Sequence, residues 1–458
     1  MTLDPEEAAR SRDVVATAEH RAQVRKAAVA STVGTTIEWY DYFLYGTAAA
    51  LVFPHVFFPH AEAYIGLLES FATYFVGVAA RPVGAAIFGH WGDRIGRKRM
   101  LIVTLLIMGL STTVIGILPG EATLGGGAAT LLILMRILQG IAVGGEWSGS
   151  VLLSMEWGDQ KRRGLFGSWP QLGVSIGLIL GTAMMTLFNK VAGDSFLVWG
   201  WRVPFLLSLI LVGVGLYIRL RILETPLFAR IIEQKRVERA PVKEVIKRYP
   251  KEIILSALIR MSEQMPFYVV TAFVLSYLTS PDHGGFARNF VLIGTLVAAI
   301  VELLVLPYFG HLSDTVGRKK IYITGAAIMG VWGFAYFALL NSGIAWVVFI
   351  GLALALVPHA MQYGPQASLI AESFPTNLRY GGAGLGYQLA SVIAGGPAAL
   401  VATFLIHEFG TAYAVSGYIL FSAVVTIIAC ALLPDRSKIQ IEDDSAYVRR
   451  PRVTGETA

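Results

Sequence analysis

The sequence has few charged residues and almost no cysteine. Only 15% of its 458 residues are charged and 55% are hydrophobic, whereas ordinary globular domains are about 25% charged. The single cysteine, Cys430, excludes an internal disulfide framework and a cysteine-based metal cluster. Residues 1–27 lack the apolar core and the small-residue cleavage site of a signal peptide. The first apolar segment, near Ala28, is therefore expected to remain as a helix.

Motifs of nucleotide-driven and metal-dependent chemistry are also missing. The sequence contains no Gly-X-X-X-X-Gly-Lys-Ser/Thr loop, no His-Glu-X-X-His pair and no Cys-X-X-Cys pair. It therefore offers no phosphate cradle for ATP and no recognisable zinc or redox centre. We expect neither an enzyme nor a bound metal or cofactor.

Apolar stretches of about 20 residues recur along the chain, and each can cross a hydrocarbon core roughly 30 Å thick. They predict an all-α membrane protein with 12 transmembrane helices, at 28–53, 67–90, 100–118, 129–153, 164–188, 201–221, 251–279, 288–311, 320–340, 344–371, 381–406 and 411–433. The charged segment 222–250 is interpreted as a solvated or surface-lying linker between two six-helix bundles, 28–221 and 251–433. Residues 1–27 and 434–458 are interpreted as polar tails.

Lysine and arginine are distributed unevenly among the predicted loops. Most of the 37 basic residues lie in segments on the side of the N-terminus, whereas the opposite loops hold Lys190 and Arg288. Because loops rich in these residues stay in the cytoplasm, both termini are expected there, in a multi-pass protein of the cell membrane. The asymmetry also accounts for the net charge of +6 without a nucleic-acid partner. We expect a monomer in the lipid bilayer.

The two predicted halves contain the same motif at an offset near 221 residues. Gly-His-Trp-Gly-Asp-Arg-Ile-Gly-Arg-Lys begins at Gly89, and Gly-His-Leu-Ser-Asp-Thr-Val-Gly-Arg-Lys begins at Gly310. A second echo follows, since Glu156 and Glu372 each precede an arginine by seven residues. Duplicated halves are typical of secondary transporters, whose substrate site lies between the halves near the membrane midplane.

The repeated motif predicts a tight turn between two helices at the cytoplasmic face. Its acid, Asp93 or Asp314, can pair with an arginine or cap the N-terminus of a neighbouring helix. Contacts that form only while the cytoplasmic side is closed would act as a latch, and the alternative is a plain topology signal. The predicted gating residues are Asp93, Arg97, Glu156, Asp314, Arg318 and Glu372.

These motifs resemble those of a known transporter family. The repeated motif resembles the signature of the major facilitator superfamily, and Arg136-Ile-Leu-Gln-Gly resembles its second motif. The resemblance narrows, over residues 28–433, to the metabolite:proton symporter family, which includes carriers of shikimate, α-ketoglutarate, citrate and proline or glycine betaine. The features that narrow it are Glu38-Trp-Tyr-Asp41, Arg81-Pro82, Gly144-Gly-Glu146 and Trp199-Gly-Trp-Arg202-Val-Pro-Phe. The resemblance implies proton-coupled transport of a small molecule by alternating access.

Two features separate the sequence from other branches of the superfamily. Pro170 is followed by Gly173, Gly177 and Gly181 instead of the Gly-Pro-rich pattern of drug/proton antiporters, and this spacing indicates close helix packing. The tail after Leu433 lacks the heptads of the coiled coil found in some osmosensing betaine carriers. We therefore favour symport of a small organic acid, with uptake of proline or betaine, or efflux by proton exchange, as alternatives.

Ionisable residues inside membrane helices cost about 2.5–3.5 kcal/mol or more each, so they usually face a cavity or a partner. The duplication places three pairs of them at equivalent positions: Glu38 and Arg260, Asp41 and Glu263, and Arg81 and Glu302. We hypothesise a central cavity lined by charges of helices one, two, seven and eight.

The predicted substrate contacts in this cavity centre on two arginines. Arg81 or Arg260 would bind a substrate carboxylate, because a guanidinium matches that planar group with two parallel hydrogen bonds. Glu263, Glu302 and Tyr42 complete the predicted set. Static salt bridges between helices are the alternative for any one of these charges.

The predicted proton-coupling residues are Glu38, Asp41 and Arg136. Glu38 or Asp41 would take the coupling proton, because desolvation favours the neutral form of a carboxyl. The family resemblance implies that Arg136 assists proton transfer. Glu146 is interpreted as a possible packing acid and His359 as a hydrogen-bonded structural residue.

Overall fold

The structure, a computed structural model, describes residues 18–233, 240–439 and 447, which are mostly helical and contain no β-strand. We call the first six of its long helices the N-terminal half and the last six the C-terminal half. These residues form twelve long helices: α1 (Ala18–Leu51), α2 (Ala63–Ile95), α3 (Arg97–Ile117), α4 (Gly126–Trp157), α5 (Gln160–Gly200), α6 (Arg202–Leu220), α7 (Pro250–Thr279), α8 (Arg288–Val316), α9 (Arg318–Leu340), α10 (Ala345–Ala371), α11 (Thr376–Phe409) and α12 (Tyr413–Leu432).

Helix α1 differs from the other eleven in its polarity. Within the described residues, α2 to α12 are long and apolar enough to cross a membrane. Helix α1 is long enough, with 34 residues, but it is more polar than the others. It carries Glu38 and Asp41, which are 4% and 0% exposed, so its acids lie inside the bundle and not in lipid. It is already helical at Ala18, the first residue that the structure describes, so part of the predicted N-terminal tail is helical.

The two halves cross at the first glycine of each repeated motif. Gly89 of α2 lies against Gly381 of α11, and Gly310 of α8 lies against Gly164 of α5. A β-carbon on Gly89 would stand 2.6 Å from the Cα of Gly381, and one on Gly310 would stand 2.8 Å from the side chain of Ser168. Glycine is therefore required for this approach of the backbones. We call the end of the bundle that carries the two motifs the motif face.

The glycines of α5 pack against α1, as their four-residue spacing predicts. A β-carbon on Gly173 would lie 2.7 Å from the backbone nitrogen of Thr36, and one on Gly177 would lie 2.7 Å from that of Tyr40. Because these neighbours are backbone atoms, α1 cannot give way by a change of rotamer. The contact therefore sets the position of the helix that carries the two predicted proton acceptors.

Three helices of the C-terminal half are irregular along their length. Helix α7 is interrupted at Arg260 and again by a π-helical segment at Val269–Phe273. Helix α10 is interrupted just before Pro358, and α11 contains a π-helical segment at Ser391–Gly395. Irregularities of this kind free backbone groups and redirect side chains, and they are common at functional sites in membrane bundles.

The segment between the halves is more ordered than a solvated linker. It forms two short helices, Pro226–Glu233 and Pro241–Arg248, and residues 234–239 between them lie outside the described part. Phe228 and Val245 are fully buried. The second short helix contacts both α2 and α11, so the segment packs onto the motif face instead of hanging free of it.

Replacing Gly173 with valine is expected to destabilise the protein by about 1–3 kcal/mol, because the added side chain would overlap the backbone of α1. Gly213→Val is the matched control, since Gly213 of α6 has no atom within 4 Å of its β-carbon position. Thermal unfolding of the purified proteins in detergent measures the difference. Equal unfolding midpoints for the two variants would contradict the packing.

Candidate substrate and proton sites

A small pocket lies between the two halves. Trp39 of α1 and Val174 of α5 line it from the N-terminal half. The C-terminal half contributes Arg260, Glu263, Gln264, Phe267, Tyr268, His359, Tyr363 and Tyr387. The space left between these side chains is about what one water molecule needs, so the halves are closed around it.

Arg81 of α2 is buried next to this pocket without a hydrogen bond or an ion pair to any other described residue. It is 3% exposed, and its guanidinium carbon lies 4.5 Å from the centre of the Tyr42 ring and 5.8 Å from that of Trp39. Arg136 of α4 stands near the same tyrosine, at 5.3 Å. Aromatic rings stabilise a buried cation only partly. Arg81 can therefore accept a carboxylate as its ionic partner.

Asp41 lies inside the N-terminal half and does not line the pocket. Its oxygens accept hydrogen bonds from Thr112 of α3 at 2.7 Å and from Ser208 of α6 at 2.8 Å. Thr112 accepts a hydrogen bond from Gln139 of α4 at 2.7 Å, and Gln139 accepts one from Arg136 at 3.1 Å. A continuous row of polar side chains thus connects Arg136, which lies near Tyr42, with the carboxyl of Asp41.

Glu38 also lies within the N-terminal half, in a second small cavity that Thr104 and Glu146 help to line. Glu146 forms an ion pair with Arg219 of α6 and accepts a hydrogen bond from Thr104 at 3.0 Å. One oxygen of Glu38 is buried with no hydrogen-bond partner among the described residues. The single central cavity that we hypothesised is therefore divided, in this structure, into an interfacial pocket and separate polar groups inside each half.

Arg260 and Glu263 form an ion pair at 3.2 Å, consistent with their spacing of three residues on α7. Gln366 of α10 donates to Glu263 at 2.9 Å, and the guanidinium carbon of Arg260 lies 3.3 Å from the centre of the Tyr387 ring. Arg260 is thus already engaged in this closed arrangement. A substrate carboxylate would have to displace an existing partner there, which is not the case at Arg81.

His359 of α10 connects Glu263 with Glu302 of α8, the other acid of the predicted substrate set. Its Nδ1 is hydrogen-bonded to Glu302, and its Nε2 lies 3.3 Å from Glu263. Ser175 of α5 donates to the other oxygen of Glu302 at 3.0 Å, across the boundary between the halves. The sequence analysis expected a hydrogen-bonded histidine but not its two acidic partners, because a lone histidine in an apolar helix gives no spacing signal.

Asp93 and Asp314 cap helices of the opposite half at the motif face. Asp93 accepts hydrogen bonds from the amide nitrogens of residues 380 and 381, near the start of α11, at 3.2 and 3.0 Å. Asp314 accepts them from residues 164 and 165, near the start of α5, at 2.7 and 3.0 Å. A carboxylate is favoured at this position by the free amides and the positive end of the helix dipole. The two caps are equivalent under the duplication.

Buried arginine–glutamate pairs lie beside both caps. Arg97 is 3.4 Å from Glu156, and Arg318 is 2.6 Å from Glu372. Arg163 of α5 reaches Glu372 at 3.3 Å from the other half. All six predicted gating residues are thus gathered at the motif face, in two equivalent sets.

Glu224 joins the first of these sets, although its place in the charged segment gave no indication of it. It accepts a hydrogen bond at 3.1 Å from the amide of Lys98, at the start of α3. Burial raises the pKa of the Glu224 carboxyl to about 7, and hydrogen bonds from two amides and the nearby Arg97 act in the opposite direction. This carboxyl lies outside the membrane helices and titrates near neutral pH.

Other partners in these sites were also missed by the sequence reasoning. Thr112, Ser208 and Ser175 are hydroxyl residues of a kind that is common in membrane helices and carries no distinguishing signal. Arg219 lies at the end of α6, where a basic residue normally indicates the edge of the membrane. Its pairing with Glu146 depends on how α4 and α6 are rotated about their own axes, which the sequence does not give.

Comparison with known proteins identifies related chains over most of this length. The family described as sugar (and other) transporter matches residues 26–253 and 267–443. The chain is 40% identical to the shikimate transporter of Escherichia coli K12 over 422 residues, which cover 91% of this chain and 96% of that protein. It is 31% identical to the proline/betaine transporter of the same organism over 421 residues, which cover 89% and 82%.

The fold matches a solved transporter structure as well. The proton:xylose symporter XylE of E. coli superimposes with a TM-score of 0.75 at 16% identity, covering 93% of this chain and 99% of that one. Duplicated six-helix halves around an enclosed polar pocket define a secondary transporter. The chain belongs to the sugar (and other) transporter family of the major facilitator superfamily.

Asp93→Ala and Asp314→Ala are each expected to loosen the motif face. Loss of an acid that accepts amide hydrogen bonds at a helix N-terminus costs about 0.5–2 kcal/mol, which corresponds to a roughly 2- to 30-fold rise in the open form. A cysteine at Ser148, buried between α4 and α11, should then react faster with a maleimide in a Cys430→Ser background. Asp159→Ala, which removes a cap within its own exposed turn, is the control. Equal labelling rates in all variants would contradict the latch.

Proposed function

We propose that this chain is a proton-coupled symporter that carries a small organic acid, of a shikimate-like or dicarboxylate type, by alternating access. The observation that carries the proposal is the arrangement around Tyr42. On one side Arg81 is buried beside the pocket with no hydrogen bond or ion pair to a described residue, and Glu38 acts on it only at longer range. On the other side a row of hydrogen bonds leads from Arg136 to the carboxyl of Asp41. The first group can hold an anionic substrate and the second can hold a proton.

The substrate carboxylate is proposed to bind Arg81, with the rings of Tyr42 and Trp39 packing against the rest of the molecule. Glu263 lines the pocket and can accept hydrogen bonds from substrate hydroxyl groups. Glu302 lies behind His359, so its influence on the substrate is exerted through that ring. The similarity to a shikimate transporter supports a hydroxylated carboxylic acid.

Uptake of a zwitterion such as proline or glycine betaine is the second candidate. The 31% identity to a proline/betaine transporter favours it. The rings of Trp39, Tyr42 and Tyr268 favour it as well, because aromatic faces bind quaternary ammonium groups. Both candidates place a carboxylate at Arg81. Efflux by proton exchange would use the same residues in the opposite direction.

We infer that the protein lies in the cell membrane as a monomer, with both termini and the motif face in the cytoplasm. The distribution of lysine and arginine supports this orientation. The units 28–221 and 251–433 are proposed to rock about the pocket while the segment 222–250 joins them. Release of the caps made by Asp93 and Asp314 would open the pocket toward the cytoplasm.

Uptake into proteoliposomes with an alkaline interior tests the function directly. Labelled shikimate is expected to accumulate only while the pH gradient lasts, because the proton supplies the driving force. Transport that is indifferent to the gradient would exclude proton coupling. Accumulation of proline or glycine betaine without shikimate would select the second candidate.

Asp41→Asn is expected to reduce gradient-driven accumulation while sparing exchange of labelled for unlabelled substrate, because asparagine occupies the same space and binds no proton. Asp159→Asn, on an exposed turn, is the control. The same proteoliposomes serve both measurements. Accumulation at the wild-type level in Asp41→Asn would assign the proton elsewhere, and Glu38→Gln would be the next variant to measure.

Arg81→Gln is expected to weaken binding of the carboxylate substrate roughly 10- to 150-fold, since a hydrogen bond to a charged group contributes about 1.5–3 kcal/mol. Arg81→Lys keeps the charge without the paired donors and should lie between Arg81→Gln and the wild type. Arg94→Gln changes an exposed arginine of the same helix, near His90, and is the control. Isothermal titration measures affinity, and unchanged affinity in Arg81→Gln would place the carboxylate elsewhere.

A further inference from the structure

The C-terminal half contains a row of three titratable side chains to which the proposed function assigns no proton. His359 lies between Glu302 and Glu263, with one ring nitrogen toward each carboxyl group. All three residues are at most 3% exposed. The rings of Phe267 and Tyr363 cover the imidazole, with centroids 5.1 and 4.9 Å from it.

With a neutral imidazole and two ionised carboxylates, this row has too few hydrogen-bond donors for its contacts. A neutral imidazole has one N–H donor and one bare nitrogen, and an ionised carboxylate can only accept. If His359 were neutral and both acids were ionised, its bare nitrogen would face a carboxylate oxygen with no hydrogen between them. A buried pair of acceptors in this arrangement is unfavourable. The row therefore requires one additional proton, on the ring or on one of the carboxyls.

The charges around the row also indicate one additional proton. Arg260 of α7 pairs with Glu263 and contributes one positive charge. Among the described residues, the other titratable groups around the row are tyrosines: Tyr268 of α7, Tyr322 of α9, Tyr363 of α10 and Tyr387 of α11. The two acids and Arg260 alone would leave one uncompensated negative charge in the membrane interior, whereas an additional proton makes the set neutral. Arg81 does not supply that balance, because it lies in the N-terminal half and interacts electrostatically with Glu38 there.

The row also touches the boundary between the halves. Glu302 accepts a hydrogen bond from Ser175 of α5 at 3.0 Å, and Phe267, which covers His359, contacts Trp39 of α1 with a centroid distance of 6.3 Å. Both of these partners belong to the N-terminal half. Separation of the halves would withdraw them and admit water to the acid and the ring, so that the additional proton could exchange.

We propose that Glu263, His359 and Glu302 form a second proton-binding site, separate from Asp41, that holds its proton while the halves are closed and exchanges it when they separate. The proton is taken from water on one side of the membrane and returned to water on the other, and no other bond is made or broken. The inference rests on the proposed function only in that this proton moves with the substrate.

Histidine labelled with heavy nitrogen reports the proton without any substrate. In lipid nanodiscs at neutral pH, the His359 signals are those lost in His359→Gln. We expect either a ring with both nitrogens protonated or an infrared band of a protonated carboxyl that disappears in Glu302→Gln or Glu263→Gln. In the first case, Glu302→Gln should return the ring to a single N–H, whereas Glu69→Gln, at an exposed acid of α2, should not. A ring with one bare nitrogen and no such band would overturn the proposal.

The proteoliposome assay with shikimate then tests exchange of this proton. The accumulation ratio at a series of pH gradients gives the number of protons carried with each substrate. Glu302→Gln should lower that number by one, because it removes the negative charge that requires the additional proton, whether the proton sits on the ring or on a carboxyl. An unchanged number with intact gradient-driven uptake would overturn the second site and leave the proposed function standing. If no gradient-driven uptake occurs even in the wild type, the proposed function fails and the spectroscopic result alone decides whether the row holds a proton.

Discussion

A charge inside a membrane needs a partner within the protein, and this constraint organises the whole bundle. Helix α1 is more polar than the other eleven helices, yet its acids are enclosed by the neighbouring helices. Glu146 is neutralised by Arg219, and Asp41 is held by two hydroxyl groups. Among the described residues, Arg81 and Arg136 lack an ion-pair partner and stack on aromatic rings. These two cations thus both lie against Tyr42, whose hydroxyl contacts Tyr268 of the pocket between the halves.

Much of the fold could be predicted from the sequence, because apolar length and the duplication are properties of the chain that do not depend on packing. Close packing of α5 was predicted for the same reason, since the spacing of its glycines is itself the packing surface, whereas α1 as its partner was not. The helical course of residues 18–27 and the two short helices after α6 were not predicted. Those segments are polar on one side, and only their docking against the bundle stabilises them.

Some site residues were predicted from the sequence and others were not, and the difference has a geometric cause. The duplication relates residues at equivalent depth, and so it found Asp93 and Asp314 as well as the acids of α7 and α8. It does not give the direction in which a side chain points. Asp41 faces α3 and α6 and not the pocket, and His359 acquires its role only because α7 and α8 present an acid to each of its nitrogens. Rotation about a helix axis is decided by packing, which a single sequence does not contain.

The caps at the motif face have a consequence for how such proteins diverge. Asp93 and Asp314 bind main-chain amides, which every residue except proline supplies. The amide contact therefore places no demand on the side chains of residues 165, 380 and 381, whereas Gly164 is held as glycine because a β-carbon there would lie 2.5 Å from the carbonyl oxygen of Gly310. Across many related sequences each aspartate would stand as an invariant position with no co-varying partner. Apart from the glycine crossings and the Arg163–Glu372 pair, the two halves could accordingly accumulate changes independently at this face and still close on one another.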